Sequence, residues 1–283
     1  MKKFVLIFGR LPLVSALHSA LVSALHSALV SALHSALHSA LVSALVSALV
    51  FAGCKGNSKA GSDDPTMDAS DFVLLSDAIP DVILEIRYYS TYNFIGERIH
   101  GYEQPIAMLT KRAADSLRVV SDELLARGYR LKIFDAYRPQ CAVDHFVEWA
   151  KDLDDTRMKE YFYPELEKDV LIPLEYIAAR SSHTRGSTVD LTLFDMSLEK
   201  EVDMGCTYDY FGVASHPDVM PGQEVGAYQP ITQQQYDNRM ILRQAMLAHG
   251  FKPYDCEWWH FTLADEPYPD TYFRFPLHSS VLF

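Results

Sequence analysis

The stretch Ser181-Ser182-His183-Thr184-Arg185-Gly186-Ser187-Thr188-Val189-Asp190, continued by Leu191-Thr192-Leu193, decides the reading of this chain. It has the form S-x-H-x-x-G-x-x-x-D. A chain that turns at Gly186 and then runs as a strand brings the His183 imidazole and the Asp190 carboxylate together. A second cluster, Glu257-Trp258-Trp259-His260, supplies another imidazole and another carboxylate. On a regular strand, residues three apart face opposite sides. Glu257 and His260 therefore share one site only at a bulge or a strand end. Two imidazoles and a carboxylate are ordinary zinc ligands, and three protein ligands leave a fourth position open. His183, Asp190 and His260 are the candidate metal ligands, for one zinc ion per chain. Glu257 is then free to serve as general base on a water at the open position. Either cluster alone is more often what a hydrogen-bonded structural histidine leaves in a sequence. Together they supply a complete ligand set and a base.

A third segment, Asp135-Ala136-Tyr137-Arg138-Pro139, follows an expected strand, Tyr129 to Phe134. A loop there can point Arg138 into a cleft, where a guanidinium stabilises a developing oxyanion. The alternative is a surface arginine paired with Asp135.

Around these segments the pattern predicts interleaved helices and strands. Val82 to Tyr89 is rich in β-formers and reads as a strand. Leu109 to Arg127 has apolar residues at helical spacing, with Gly128 as a C-cap. Pro139 to Leu153 reads as a helix. Gln233 to His249 reads as an amphipathic helix, with Tyr236, Met240 and Leu247 among its apolar positions and Gly250 as its cap. A final strand runs near Trp258 to Thr262. No regular βαβ period is present, so the fold class is α+β: one small domain, a mainly antiparallel sheet flanked by helices.

The body of the chain is acidic. Residues 54–283 carry 22 Lys+Arg against 37 Asp+Glu, a net charge of −15. Such a chain repels nucleic acid and stays soluble. Cys141, Cys206 and Cys256 form no C-x-x-C pair, which argues against a zinc knuckle or a redox motif, and they read as small buried residues.

The first 53 residues differ in kind. They hold Lys2, Lys3 and Arg10 and no acidic residue. From Val14 to Leu49 they consist of nine tetrads of (Val or His)-Ser-Ala-Leu. As a helix this repeat would run about 54 Å, against an apolar bilayer thickness of about 30 Å. It is oversized for a signal core or a simple span, and its histidines recur only because the tetrad does. Val50-Phe51-Ala52-Gly53-Cys54 is similar to a bacterial lipoprotein cleavage site, with Phe51 where Leu, Val or Ile is usual. The expected organisation is an export signal over 1–53, lipidation at Cys54, a flexible tether over 54–70 and a folded domain over 71–283. The protein is expected to be exported and lipid-anchored to the cell envelope.

Taken in order, the motifs resemble those of the D-alanyl-D-alanine dipeptidases, zinc enzymes of the vancomycin-resistance type. The resemblance spans about residues 72–276. It rests on Ile86-Arg87-Tyr88, Asn93-Phe94-x-Gly96, Gly101-Tyr102, Asp135 to Pro139, Ser181 to Leu193, Met204-Gly205, Glu257 to His260 and Asp265-Glu266-Pro267-Tyr268-Pro269. Thr188 stands where that family often has Ala. The resemblance implies a fold shared with zinc D,D-carboxypeptidases and the hedgehog signalling domain. It implies that His183, Asp190 and His260 bind zinc, that Glu257 is the base and that Arg138 stabilises the tetrahedral intermediate. It also implies that Tyr88, Ser181 and Asp209 hold a small dipeptide substrate, Asp209 at its amino terminus. Phe146, Trp258 and Trp259 are expected to narrow the cavity, or else simply to pack in the core. The nearest rival is a zinc D,D-carboxypeptidase or endopeptidase with the same metal set. A non-catalytic zinc-binding module is the rival from another class. Oligomeric state is not legible.

Overall fold

The computed structural model describes residues 64–283. The expected export signal, its repeat, Cys54 and the tether up to residue 63 lie outside the described residues. The rest of the expected tether is folded: Pro65–Met67 forms a 3-10 turn capped by Asp64, Ala69 is buried, and Arg274 N donates to Thr66 O at 2.8 Å. The body thus begins before Asp71, the expected start.

Among the described residues eight strands form: β1 (Phe72–Leu74), β2 (Ile83–Leu84), β3 (Met108–Thr110), β4 (Tyr129–Asp135), β5 (Thr188–Asp195), β6 (Lys200–Glu201), β7 (Phe251–Tyr254) and β8 (Glu257–Leu263). β1 and β3 make a small antiparallel pair. The main sheet has the order β2-β4-β5-β8-β7, with β6 on β5. All its pairings are antiparallel except β2 with β4. Among the described residues three helices exceed two turns: α1 (Lys111–Ala126), α2 (Gln140–Lys151) and α3 (Gln233–Ala248). The α+β class with a mainly antiparallel sheet is the observed architecture.

The helix α1 forms because Thr110 caps it, its hydroxyl accepting from Ala113 N, and because Ala113, Leu117, Val120 and Leu124 line one face. Leu117 and Leu124 are fully buried, each contributing about 1.5–3 kcal/mol by removal from water. The helix starts two residues later than its pattern suggests, because Leu109 and Thr110 are used by β3. A reciprocal capping box between Thr232 and Gln235 opens α3. Its buried face is not the expected one. Leu247 is exposed, and the buried residues are Asn238, Arg239, Leu242, Ala245 and Met246. Arg239 holds an interior position because its guanidinium donates to the carbonyls of Met204, Ala214 and His216.

The expected strand over Val82 to Tyr89 is mostly not one. Only Ile83 and Leu84 pair with β4, at the edge of the sheet, and Arg87–Tyr89 turns into a 3-10 helix. β-rich composition reflects a pleated, half-buried surface rather than a ladder. Here Arg87 and Tyr88 are buried, and Arg87 lies over the Phe134 ring at 5.0 Å.

Two irregularities shape the site. On β8, Phe261 pairs with Pro253, but the next β7 residue, Tyr254, pairs with Glu257. Trp258, Trp259 and His260 are therefore extra residues opposite β7. The sequence called for a bulge or a strand end, and both occur: Glu257 is the first residue of β8 and the bulge follows it. On β4, Ile133 pairs with Leu191 and Asp135 with Asp190, so one residue is also inserted there.

Candidate active site

Gly186 closes the 3-10 turn Ser182–Arg185 that carries His183. Its φ is +79°, and a Cβ built on it would lie 2.3 Å from the Phe72 ring. Only glycine meets both conditions. Beyond the turn β5 begins, with Asp190 opposite His260 of β8. The result is a tight triangle. His183 Nε2 is 3.2 Å from Asp190 Oδ1, His260 Nδ1 is 3.1 Å from it, and the two ring nitrogens are 3.2 Å apart.

His183 Nδ1 donates to the carbonyl of Ala136 at 2.7 Å, since a carbonyl can only accept. A neutral His183 ring then turns a bare lone pair toward Asp190. On the outer side of His260, Nε2 meets Ser182 Oγ at 3.2 Å. Asp190 Oδ2 accepts from Tyr208 OH at 3.0 Å, while the buried Oδ1 has no hydrogen-bond partner. His183 Nε2, His260 Nδ1 and Asp190 Oδ1 thus converge on one buried point. Burial opposes a charge on His260, but Asp190 and Glu257 outweigh it and push its pKa up to about 9. Burial likewise works against an ionised Asp190, yet the His183 and His260 rings hold its carboxyl below the usual range. The pocket demands positive charge, and a donor set of two imidazoles and one carboxylate suits a divalent transition-metal ion.

A family model for D-Ala-D-Ala dipeptidases matches residues 68–278. The chain belongs to the D-Ala-D-Ala dipeptidase family of metallopeptidases. It is 39% identical to a D-alanyl-D-alanine dipeptidase of Enterococcus faecalis over 204 residues, 72% of this chain and 96% of the relative. Against the Enterococcus faecium enzyme of that name it is 35% identical over 206 residues, 73% of this chain and 98% of the relative. Against the Escherichia coli enzyme of that name it is 30% identical over 199 residues, 69% and 86%.

The other expected residues of this dipeptidase-family site line one cavity of about 570 Å³. Glu257 Oε2 is 3.3 Å from His260 Nδ1. Arg138 is half-buried against Asp135, with Nε donating to Asp135 Oδ2 at 2.9 Å, and its Nη2 lies 3.6 Å from Asp190 Oδ2. It pairs with Asp135, as the alternative reading had it, yet it sits on the cavity wall over the rings of Tyr88 and Phe146. Burial opposes its charge, but Tyr88 and Asp135 keep its pKa well up.

Asp209 is buried at φ +61°, a left-handed conformation that is uncommon for a non-glycine residue. Its Oδ1 accepts from Tyr88 OH at 3.2 Å and its Oδ2 has no partner. Burial, then the Asp190 charge, push its pKa well up, which a cation beside it would reverse. Ser181 lines the cavity, but its Oγ accepts from His183 N at 3.3 Å and so also caps the turn.

Of the three aromatics, Phe146 lines the cavity. Trp258 and Trp259 do not. They are buried in the core, with Trp258 Nε1 directed at Cys206 Sγ and Trp259 against Tyr208. The described cysteines are all free, and only Cys206 is buried. Sequence reasoning missed Tyr208, Ser182 and Tyr102, the last donating to Asp135 Oδ1 at 2.6 Å. Adjacency to Asp209, His183 and Gly101 is the only sequence signal these three carry.

Proposed function

We propose that this chain hydrolyses D-alanyl-D-alanine to D-alanine with one zinc ion held by His183, Asp190 and His260. The observation that carries the reading is the buried convergence of His183 Nε2, His260 Nδ1 and Asp190 Oδ1 within 3.2 Å of one another, with Glu257 beside His260. When bound there, zinc supplies Lewis-acid polarisation of the scissile carbonyl and lowers the pKa of a nearby water. Glu257 takes the proton from the attacking water and returns it to the departing amine. Arg138, fixed by Asp135, gives a guanidinium to the oxyanion that develops, without needing to reorganise. Asp209 and Tyr88 hold the substrate ammonium, and Ser181 stands beside them on the same cavity.

The free ammonium sets the choice of substrate. An amine blocked by a longer peptide leaves Asp209 Oδ2 buried without a partner, and buried polar groups left unpaired give strong discrimination. Release of alanine from the free dipeptide but not from pentapeptide precursors, with purified zinc-loaded protein, supports the dipeptidase. Release from the pentapeptide at comparable rates supports the D,D-carboxypeptidase instead.

The leader supports a site of action outside the cytoplasm. The Ala52-Gly53-Cys54 site and the polar stretch after it support export and lipidation at Cys54. An anchored enzyme of this kind serves recovery of cell-wall fragments rather than removal of a cytoplasmic D-Ala-D-Ala pool. Metabolic lipid labelling with N-terminal sequencing tests this, and an unlipidated Cys54 or a cytoplasmic protein overturns it.

A further inference from the structure

The register of the sheet carries information that the metal triangle does not use. Residues directly opposite on antiparallel strands share a face, and residues two apart on one strand do too. Asp190 is opposite His260, and Thr188 is opposite Thr262. Thr262 is in turn opposite Lys252 of β7. Thr188, Thr262 and Lys252 therefore form a second row on the metal-bearing face, beside the Asp190–His260 row. The hydroxyls of Thr188 and Thr262 are 2.8 Å apart, and both Thr262 and Lys252 line the cavity. Thr188, which departs from the family pattern, is thereby tied into a polar floor.

Lys252 has no ion pair among the described residues, although Glu175 and Glu257 line the same cavity. Arg180 also lines it, its guanidinium 4.1 Å from the Tyr272 ring centroid and equally without a carboxylate partner among the described residues. Both side chains are exposed where they line the cavity, so they meet a ligand from its open side and suit an anionic group there. With the ammonium end of a dipeptide assigned to Asp209, the anionic group left is the carboxylate of its other residue. The second row is two residues along β8 from His260, roughly 6.6–6.8 Å. One extended substrate residue spans roughly 3.3–3.6 Å. The lysine row thus lies about two residue lengths along the sheet from the His260 row, within reach of a dipeptide held there.

We propose that Lys252, assisted by Arg180, is a specificity-determining residue that recognises a carboxylate on the leaving amino acid. The assignment rests on the dipeptidase reading. The carboxylate has two sources, the α-carboxylate of any leaving residue or the side chain of an acidic one.

The test compares zinc-loaded wild-type protein with Lys252→Met and Lys252→Arg on four peptides: D-Ala-D-Ala, D-Ala-D-alaninamide, D-Ala-D-Glu and D-Ala-D-Gln. If the α-carboxylate is the target, Lys252→Met lowers the kcat/KM ratio of D-Ala-D-Ala over its amide roughly tenfold, the loss of one contact to a charged group, mainly through KM. If an acidic side chain is the target, the ratio of D-Ala-D-Glu over D-Ala-D-Gln falls by a similar factor. Lys252→Arg restores most of whichever ratio falls, which a merely structural role would not require. Turnover of D-Ala-D-Ala by wild-type protein with both ratios unmoved in Lys252→Met overturns the assignment alone. No turnover of any of the four by wild-type protein overturns the dipeptidase reading and the assignment with it.

Discussion

Tyr208 OH donates to Asp190 Oδ2 at 3.0 Å, leaving the other oxygen of the same carboxylate bare and pointed at two histidines. The phenol thus decides which oxygen of Asp190 faces the two histidines. Such partners fix ligand orientation and typically contribute 10- to 100-fold to metal affinity or activity. Tyr208→Phe removes one oxygen with little change of volume. It is expected to weaken zinc binding by about that factor while the domain stays folded. Competition against a chromogenic chelator reads the affinity, and circular dichroism reads the fold. Wild-type affinity in the variant would show that Tyr208 OH does nothing for the ligand.

Asp209 tests the substrate end of the cavity. Its left-handed backbone, its burial and its unpartnered Oδ2 all describe a group waiting for a cation. Asp209→Ala is expected to lower kcat/KM on D-Ala-D-Ala roughly 10- to 100-fold, with zinc content unchanged, as one charge-assisted contact is lost. Preference for a free over an acetylated amine is expected to shrink in parallel. Steady-state kinetics on both peptides would settle it, and an undiminished preference would place the ammonium elsewhere.

Gly186 tests the local fold. Phe72 cannot retreat from an added methyl group, because it packs edge-on against Tyr137, Phe273 and Phe275 at 4.9–5.2 Å between centroids. Gly186→Ala combines overpacking, about 1–3 kcal/mol, with a left-handed backbone costing roughly 1–2 kcal/mol more. Chemical denaturation is expected to show a loss of at least about 2 kcal/mol. A loss under about 0.5 kcal/mol, the range of an ordinary surface substitution, would contradict the close approach of Phe72.

The helices α1 and α3 were legible because apolar spacing and caps are local signals, and both lie within two residues of expectation. The face of α3 was not. Its interior position is taken by Arg239, whose partners are carbonyls of the loop between Met204 and His216, a path that no periodicity reveals. The strand over Val82 to Tyr89 failed for the converse reason: its apolar residues are buried by packing, not by pairing. Chemistry was more legible than topology. The bulge in β8 was demanded by the need to put Glu257 and His260 on one site, and it is there. Tyr208 and Ser182 were invisible because they act only through residues brought close by the tertiary fold.

The central claim is that three residues hold the ion and a fourth, Glu257, moves the proton. Glu257 lies beside His260 Nδ1, yet the triangle closes without it. Glu257→Ala therefore separates binding from turnover. The variant is expected to retain one zinc per chain by elemental analysis and to hydrolyse D-Ala-D-Ala about 10²- to 10⁴-fold more slowly. Hydrolysis at the wild-type rate, or loss of the zinc together with the activity, would contradict the account.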